Sequence, residues 1–179
     1  RALLLYPRTR AAWSMLTRLL SIGKGRGGKG KCILKWADIA AHADEMVGIL
    51  LPDMPDAITR DHLRELHGVF GARGFCALSL RRRPDDAERL HRLDALARAN
   101  GVRSVATGDI LYHSSERRPL QDVVSAIRER CTIDELGFRR ERFMDRDLKS
   151  PAEMERRFAS FPDAIQASAD IAVQCTFDL

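Results

Sequence analysis

Four short apolar runs alternate with helix-period stretches through the first two-thirds of the chain, and that alternation leaves few folds open. Ala2 to Tyr6 reads as a buried strand closed by Pro7, and Met46 to Leu51 as a second, stopped by Pro52. Gly74 to Leu80 makes a third, and Val102 to Thr107 a fourth, following the Asn100-Gly101 turn. Between them, Ala12, Trp13, Leu16, Leu19 and Leu20 mark a helix over 10–22, and a short helical piece lies around Trp36 to Ala43. Leu63, Leu66 and Phe70 mark a helix over 59–70, ended at Gly71. Leu90, Leu93 and Leu96 mark one over 85–99, with acid-before-base pairs Asp85–Arg89, Glu88–Arg92 and Asp94–Arg98 on its surface. A helix after each of the first three strands predicts right-handed parallel crossovers and an α/β fold of about four parallel strands with flanking helices.

The pattern changes after Asp109. Pro119 opens a helix through Leu120, Val123, Val124, Ile127 and Cys131. Ser150-Pro-Ala-Glu153 is a capping box that starts a helix to about Phe161. Pro162 starts another, with Ile165, Ala169 and Ala172 expected inward, and only Thr176 to Leu179 has the character of a further strand. The expected division is therefore 1–113 as the α/β part and 114–179 as a helical C-terminal tail.

Charge is unevenly spread. Residues 1–37 hold nine of the 30 Lys and Arg and no acid, so the rest carries 21 bases against 25 acids. A basic excess confined to one stretch is a footprint for phosphate backbones, which makes Lys24, Arg26, Lys29 and Lys31 candidate nucleic-acid ligands. Gly25, Gly27 and Gly30 spell G-x-G-x-x-G, and Gly23, Gly28 and Lys29 nearly spell a phosphate-binding loop, with Gly30 where Ser or Thr belongs. Those motifs work at a helix N-terminus, whereas this loop, read as 23–31, follows a helix C-terminus whose dipole has the wrong sign.

Other chemistries are thinly supplied. Cys32, Cys76, Cys131 and Cys175 form no C-x-x-C pair, which argues against a zinc knuckle or disulfide framework and for free thiols in a cytoplasmic chain. No apolar run approaches the ~18 residues of a membrane span, and no signal-peptide pattern opens the chain. Arg1 rather than Met at the start suggests a piece of a longer protein. No nucleophile elbow or H-E-x-x-H motif occurs, and His42, His62, His67 and His91 lack partners at ligand spacing. Asp109, just past the fourth strand, lies where α/β sheets place their chemistry; it either binds a metal or caps the turn.

Several stretches together carry a resemblance. Val105-Ala-Thr-Gly-Asp-Ile-Leu-Tyr-His113 leads into Arg117-Arg-Pro-Leu-Gln-Asp-Val-Val-Ser-Ala-Ile-Arg128. Then follow Cys131-Thr-Ile-Asp-Glu135, Leu148-Lys-Ser-Pro-Ala-Glu-Met154 and Phe161-Pro-Asp-Ala164. Their order and spacing resemble the polymerase-and-histidinol-phosphatase (PHP) region of bacterial C-family DNA polymerases, in the error-prone branch similar to the polymerase III alpha subunit. The resemblance implies a partial (βα) barrel of PHP type, the last four strands of a distorted seven-stranded barrel, with helices leading toward the polymerase palm.

What the resemblance implies about function follows the same lines. The parent would be a DNA-directed DNA polymerase of translesion synthesis and damage-induced mutagenesis. This portion would be structural and inactive alone, because the palm carboxylates and the paired metal-binding histidines would lie outside it. DNA would be the partner through the parent, with other translesion or replication proteins beside it, and magnesium would serve polymerisation. Where the family keeps its metal cluster, the strand reaching Asp109 carries Asp-x-His; here Leu111 holds the partner position, leaving Asp109 and His113 as the candidate metal ligands. Two alternatives remain: a metal-dependent PHP phosphoesterase acting on DNA ends, and a basic DNA- or partner-binding module. An open sheet would also favour self-association of the fragment.

Overall fold

The computed structural model describes residues 2–141 and 145–178. In chain order come β1 (Ala2–Pro7), α1 (Arg10–Gly27), α2 (Trp36–Ala40), β2 (Met46–Leu51), α3 (Ala57–Phe70), β3 (Gly74–Ser79), α4 (Asp86–Ala99) and β4 (Arg103–Thr107). The tail adds α5 (Arg118–Glu129), α6 (Pro151–Arg157) and α7 (Pro162–Gln174). The strands form one sheet in the order β1-β2-β3-β4. The chain is therefore α/β, with a mostly parallel four-stranded sheet, flanking helices and a helical tail, an arrangement consistent with part of a barrel.

One strand runs against expectation. β2, β3 and β4 are parallel, but β1 pairs antiparallel with β2, Pro7 lying opposite Met46 and Ala2 opposite Leu51. The reason lies in the connection. A single crossover helix returns the chain to the start of its strand, which gives parallel neighbours. Here α1 carries the chain away, residues 28–35 double back along it, and α2 follows, so β2 starts where β1 stopped. Arg8 N–H donates to the Glu45 carbonyl at 2.9 Å at that junction.

The doubling-back also explains the glycines. α1 does not stop at residue 22; it runs through Gly23 and Gly25 to Gly27, which corrects the expected loop over 23–31. Ile33 N–H donates to the Gly23 carbonyl at 2.9 Å, so the returning chain lies against the helix. A side-chain carbon at Gly23 would sit 2.5 Å from Cys32 Sγ, and one at Gly27 would sit 2.9 Å from Lys31 Cβ. The glycine spacing serves close approach and termination, not phosphate.

The sheet buries both faces. Met46 and Leu50 of β2 and Cys76 of β3 pack under Ala12, Leu63, Leu66, Phe70 and Ala97 from α1, α3 and α4. Gly48 admits the Phe70 ring, which would lie 2.8 Å from any side-chain carbon there. Val47, Ile49, Phe75, Ala77 and Val105 point the other way and meet Ala167 and Ile171 of α7. Leu50 and Leu78 thus face one side and Val105 the other, as the two-residue period of parallel neighbours requires.

The tail folds back rather than away. Phe158, Phe161 and Ala164 close a cluster with Leu78, Leu90, Leu93 and Ala106. The inward face of α7 is Ala164, Ala167 and Ile171; Ile165 is half-buried, while Ala169 and Ala172 are exposed, a correction of the expected register. No strand forms over 176–178, and Leu179 lies outside the described residues. On α5 the apolar row Leu120, Val123, Val124 and Ile127 faces solvent, while Asp122 and Ala126 are buried.

Candidate functional site

The carboxyl ends of the parallel strands converge on a network of guanidinium and carboxylate groups. Asp53 follows β2, Arg81, Arg82 and Arg83 follow β3, and Asp109 follows β4. Asp145 and Arg146 reach the same place from the segment before α6, and a cavity of about 110 Å³ is lined by Leu80, Arg81, Arg83, Asp109, Asp145 and Arg146, among others.

The arginine loop is anchored from below. Asp86, at the start of α4, accepts from the backbone N–H of Arg81 at 2.7 Å and of Arg83 at 3.1 Å. Its other oxygen takes both Nε and an NH2 of Arg89, at 3.1 and 2.6 Å. Arg89 also donates to the carbonyl oxygens of Ser79 at 2.6 Å and Asp53 at 3.3 Å. Both side chains are buried, so the pair is a fully hydrogen-bonded ion pair beneath the strand ends. Sequence spacing suggested Asp85 as the partner of Arg89, and the structure gives Asp86 instead. The other two helix pairs form, Glu88–Arg92 at 3.6 Å and Asp94–Arg98 at 2.9 Å.

Above that anchor the loop arginines reach out in three directions. Arg81 and Arg83 hold Asp53 at 3.1 and 2.9 Å. Arg82 holds Asp145 at 2.6 Å, and Arg157 of α6 holds the same carboxylate at 2.9 Å. Partial burial pushes the Asp145 carboxyl up, but the hydrogen bonds from Arg82 and Arg157 outweigh it and leave the group below its ordinary value. Asp109 is shared by Arg146 at 2.7 Å and Arg81 at 3.4 Å. Arg146 Nε donates to the Asp109 carbonyl as well, at 2.8 Å.

The candidate metal ligands Asp109 and His113 lie at the edge of this network and beyond it. β4 ends at Thr107, and Asp109 lies two residues beyond it with φ of 47°, so strand parity does not carry from Asp109 to His113. His113 is exposed and does not line the cavity beside Asp109. Leu111 offers no ligand atom, and two guanidiniums already occupy the Asp109 carboxylate. Among the described residues, no three His, Cys, Asp or Glu side chains gather as a metal shell. The described residues around Asp109 do not fit a metal ion. Cys76 is poorly placed as a nucleophile, since burial pushes its thiol up to about 12.

The basic candidates separate into two kinds. Lys24, Lys29 and Lys31 are exposed. Arg26 is exposed too, yet its guanidinium is bidentate on Asp38, with the longer contact at 2.9 Å. That hydrogen bond, with one from the Lys35 N–H, holds the Asp38 carboxyl at about 2. Three of the five histidines pack within the fold: His42 meets the Asp38 carbonyl at 2.8 Å, His62 lies against Trp36, and His91 lies against Phe161.

Asp86 and Arg146 were not singled out by sequence reasoning, and Arg89 was assigned to a surface pair with Asp85. An arginine cluster after a parallel strand was the available signal, and it lay in Leu78-Ser-Leu-Arg-Arg-Arg83. With Glu141 on Arg146 and Glu153 on Arg157, the six arginines face six carboxylates, so the network neutralises itself and ties α4, α6 and three strand ends together; it is a clamp. No helix among the described residues is long and apolar enough to cross a membrane.

No family model matches the chain. It is 52% identical over 178 residues to error-prone DNA polymerase 1 of Agrobacterium fabrum, covering 99% of this chain and 16% of the relative. Identity to error-prone DNA polymerase 2 of Rhizobium meliloti is 48% over 178 residues, with the same coverage. An error-prone DNA polymerase of Caulobacter vibrioides is 43% identical over 179 residues, again 99% of this chain and 16% of the relative. The chain thus spans about 16% of the length of these curated relatives.

Proposed function

We infer that this chain is a segment of an error-prone, DNA-directed DNA polymerase, belonging to its PHP-like region, and that the segment is a scaffold rather than a catalytic centre. The observation that carries the reading is sequence identity of 52% maintained over 99% of the chain to a relative of that name. A role in translesion synthesis and damage-induced mutagenesis follows from the same likeness, with DNA reached through the parent. Nucleotidyl transfer would use magnesium on palm carboxylates supplied elsewhere in the parent.

The clamp at the strand ends supports the scaffold assignment. The metal-dependent phosphoesterase alternative would need a metal-activated water, whereas Asp109 is held by Arg146 and Arg81. The network instead fixes the position of α6 relative to β3 and β4, which is the task of a connector.

Primer extension tests the reading on both sides. The 179-residue chain, purified free of contaminating polymerase, is expected to incorporate no nucleotide. The full reading frame that contains it is expected to extend a primer, including past an abasic site. Extension by the short chain, or none by the full frame, would overturn the assignment.

A further inference from the structure

We propose that the solvent face of α1 is a contact surface for the phosphate backbone of nucleic acid, built from Arg10, Arg18 and Lys24 and extended by Lys29 and Lys31. The proposal deepens the polymerase reading by naming a DNA contact away from the strand-end clamp, and it rests on this helix's own charges.

Helical geometry supplies the surface. Positions 10, 14, 17, 21 and 24 fall on one face at 3.6 residues per turn, and Arg18 flanks it. The row runs over about 21 Å from Arg10 to Lys24 at 1.5 Å per residue. Every residue on it, Arg10, Ser14, Thr17, Arg18, Ser21 and Lys24, is exposed. Lys29 and Lys31 continue the charge just beyond the C-cap Gly28.

Three properties of this face weaken it as a plain helix and suit it to phosphate. The first is charge without compensation. Many arginines elsewhere are matched, among them Arg64, Arg81, Arg82, Arg83, Arg98 and Arg157, which sit within ion-pair distance of carboxylates. Arg10, Arg18, Lys24, Lys29 and Lys31 have no such pair among the described residues, and no acid occurs in residues 1–37 to provide one.

The second is where Arg10 stands. It opens α1, whose first turn contains no acid, so a cation meets the positive end of the helix dipole. Folding alone favours Asp or Glu there, and a local rule broken without structural return marks a functional position. A phosphate against that turn would meet both the guanidinium and the dipole.

The third is the hydroxyls between the cations. Ser14, Thr17 and Ser21 are mediocre helix formers on a face where packing imposes nothing. Each bonds back to a carbonyl of its own helix, Ser14 to Arg10 at 3.3 Å, Thr17 to Ser14 at 2.8 Å and Ser21 to Thr17 at 2.9 Å. Rotated outward, they are the short hydroxyl donors that phosphate oxygens accept alongside Arg and Lys. Arg26 stays out of the surface because Asp38 holds it.

The test measures binding of the 179-residue chain to a short fluorescein-labelled DNA duplex by anisotropy across a salt series. Five phosphate contacts give a slope of log K against log salt of about −4.5, and Arg18→Ser with Lys24→Ser removes about 1.8 of it. The control double variant Arg60→Ser, Arg64→Ser subtracts the same charge from α3 and is expected to leave the slope unchanged. Circular dichroism confirms that both variants fold. No binding at low salt, an unaltered slope in the α1 variant, or equal loss in the control would overturn the proposal. So would competition by polyglutamate or anionic lipid vesicles as strong as that of unlabelled duplex, since an acidic protein or a membrane would then be the ligand. Primer extension by the full reading frame judges the polymerase reading separately.

Discussion

Arg89 places its guanidinium where almost no water reaches, 2% exposed at the side chain, beside an Asp86 carboxylate that is 8% exposed. Neither charge is solvated, so each depends on the other and on the backbone groups of Ser79, Asp53, Arg81 and Arg83. Removing one member of such a pair leaves a buried charge alone, at a cost of about 3–5 kcal/mol. Arg89→Leu is therefore expected to lower unfolding stability by that amount, measured by urea denaturation, while Arg92→Leu, whose pair is exposed, costs under about 1 kcal/mol. Equal effects from the two would show that the anchor is not needed. Sequence spacing missed this pair for a definite reason. Helix rules weigh Asp85 and Asp86 by distance from Arg89 alone, whereas the loop amides that select Asp86 exist only once β3 has turned into the arginine run. Asp109 shows the same limit: its position after β4 was legible, but Arg146, 37 residues later, which decides what it does, was not.

At the scale of elements, hydrophobic period and turn residues located most boundaries. β2 spans the predicted Met46–Leu51, and α3 ends at Gly71 with φ of 53°. What period cannot report is direction and depth. β1 turned antiparallel because of a fold-back at glycines, and the apolar row of α5 faces out, although Leu120, Val123, Val124 and Ile127 have the spacing of a buried face. α6 shows how a cap can be half right. Ser150 Oγ accepts from the Glu153 N–H at 3.3 Å, but the Glu153 carboxylate turns to Arg156 and Arg157, both within 2.8 Å. Those hydrogen bonds hold the Glu153 carboxyl at about 2, against an ordinary 4.5. A depressed folded value means that the bonds stabilise the folded chain above pH of about 4.5 and that this stability fades as pH falls toward about 2. Carbon-13 titration of the Glu153 carboxyl by NMR is expected to find its midpoint near 2 in the wild type and to move it upward in the double variant Arg156→Gln, Arg157→Gln. An ordinary midpoint in the wild type would mean that the pair does not form in solution.

Taken whole, the molecule is a sheet with one face under α1, α3 and α4 and the other under α7, so the wide apolar face expected of an opened barrel is largely covered by the chain's own tail. The edge is different. Among the described residues β1 pairs with β2 alone, and its outer side presents the N–H and C=O groups of Ala2 to Tyr6 without a neighbouring strand. No charged residue lies between Ala2 and Pro7 to deter pairing, and Tyr6 is 41% exposed at the end of the strand. Natural edges of this kind are blunted with lysine, bulges or covering segments, and an unblunted one recruits a second chain. Sedimentation equilibrium at micromolar concentration is therefore expected to show self-association, and Tyr6→Lys, which puts a charge at the exposed end of the edge strand, at the rim of the face that α7 covers, is expected to reverse it. Ala167→Asp acts beneath the tail instead: Ala167 is fully buried between α7 and the sheet, so a carboxylate there loosens the tail and increases association. A wild type that remains a 20.2 kDa monomer on concentration would show that the edge is closed by other means. If Tyr6→Lys associates as strongly as the wild type, the contact lies elsewhere, and the exposed row of α5 becomes the surface to mutate next.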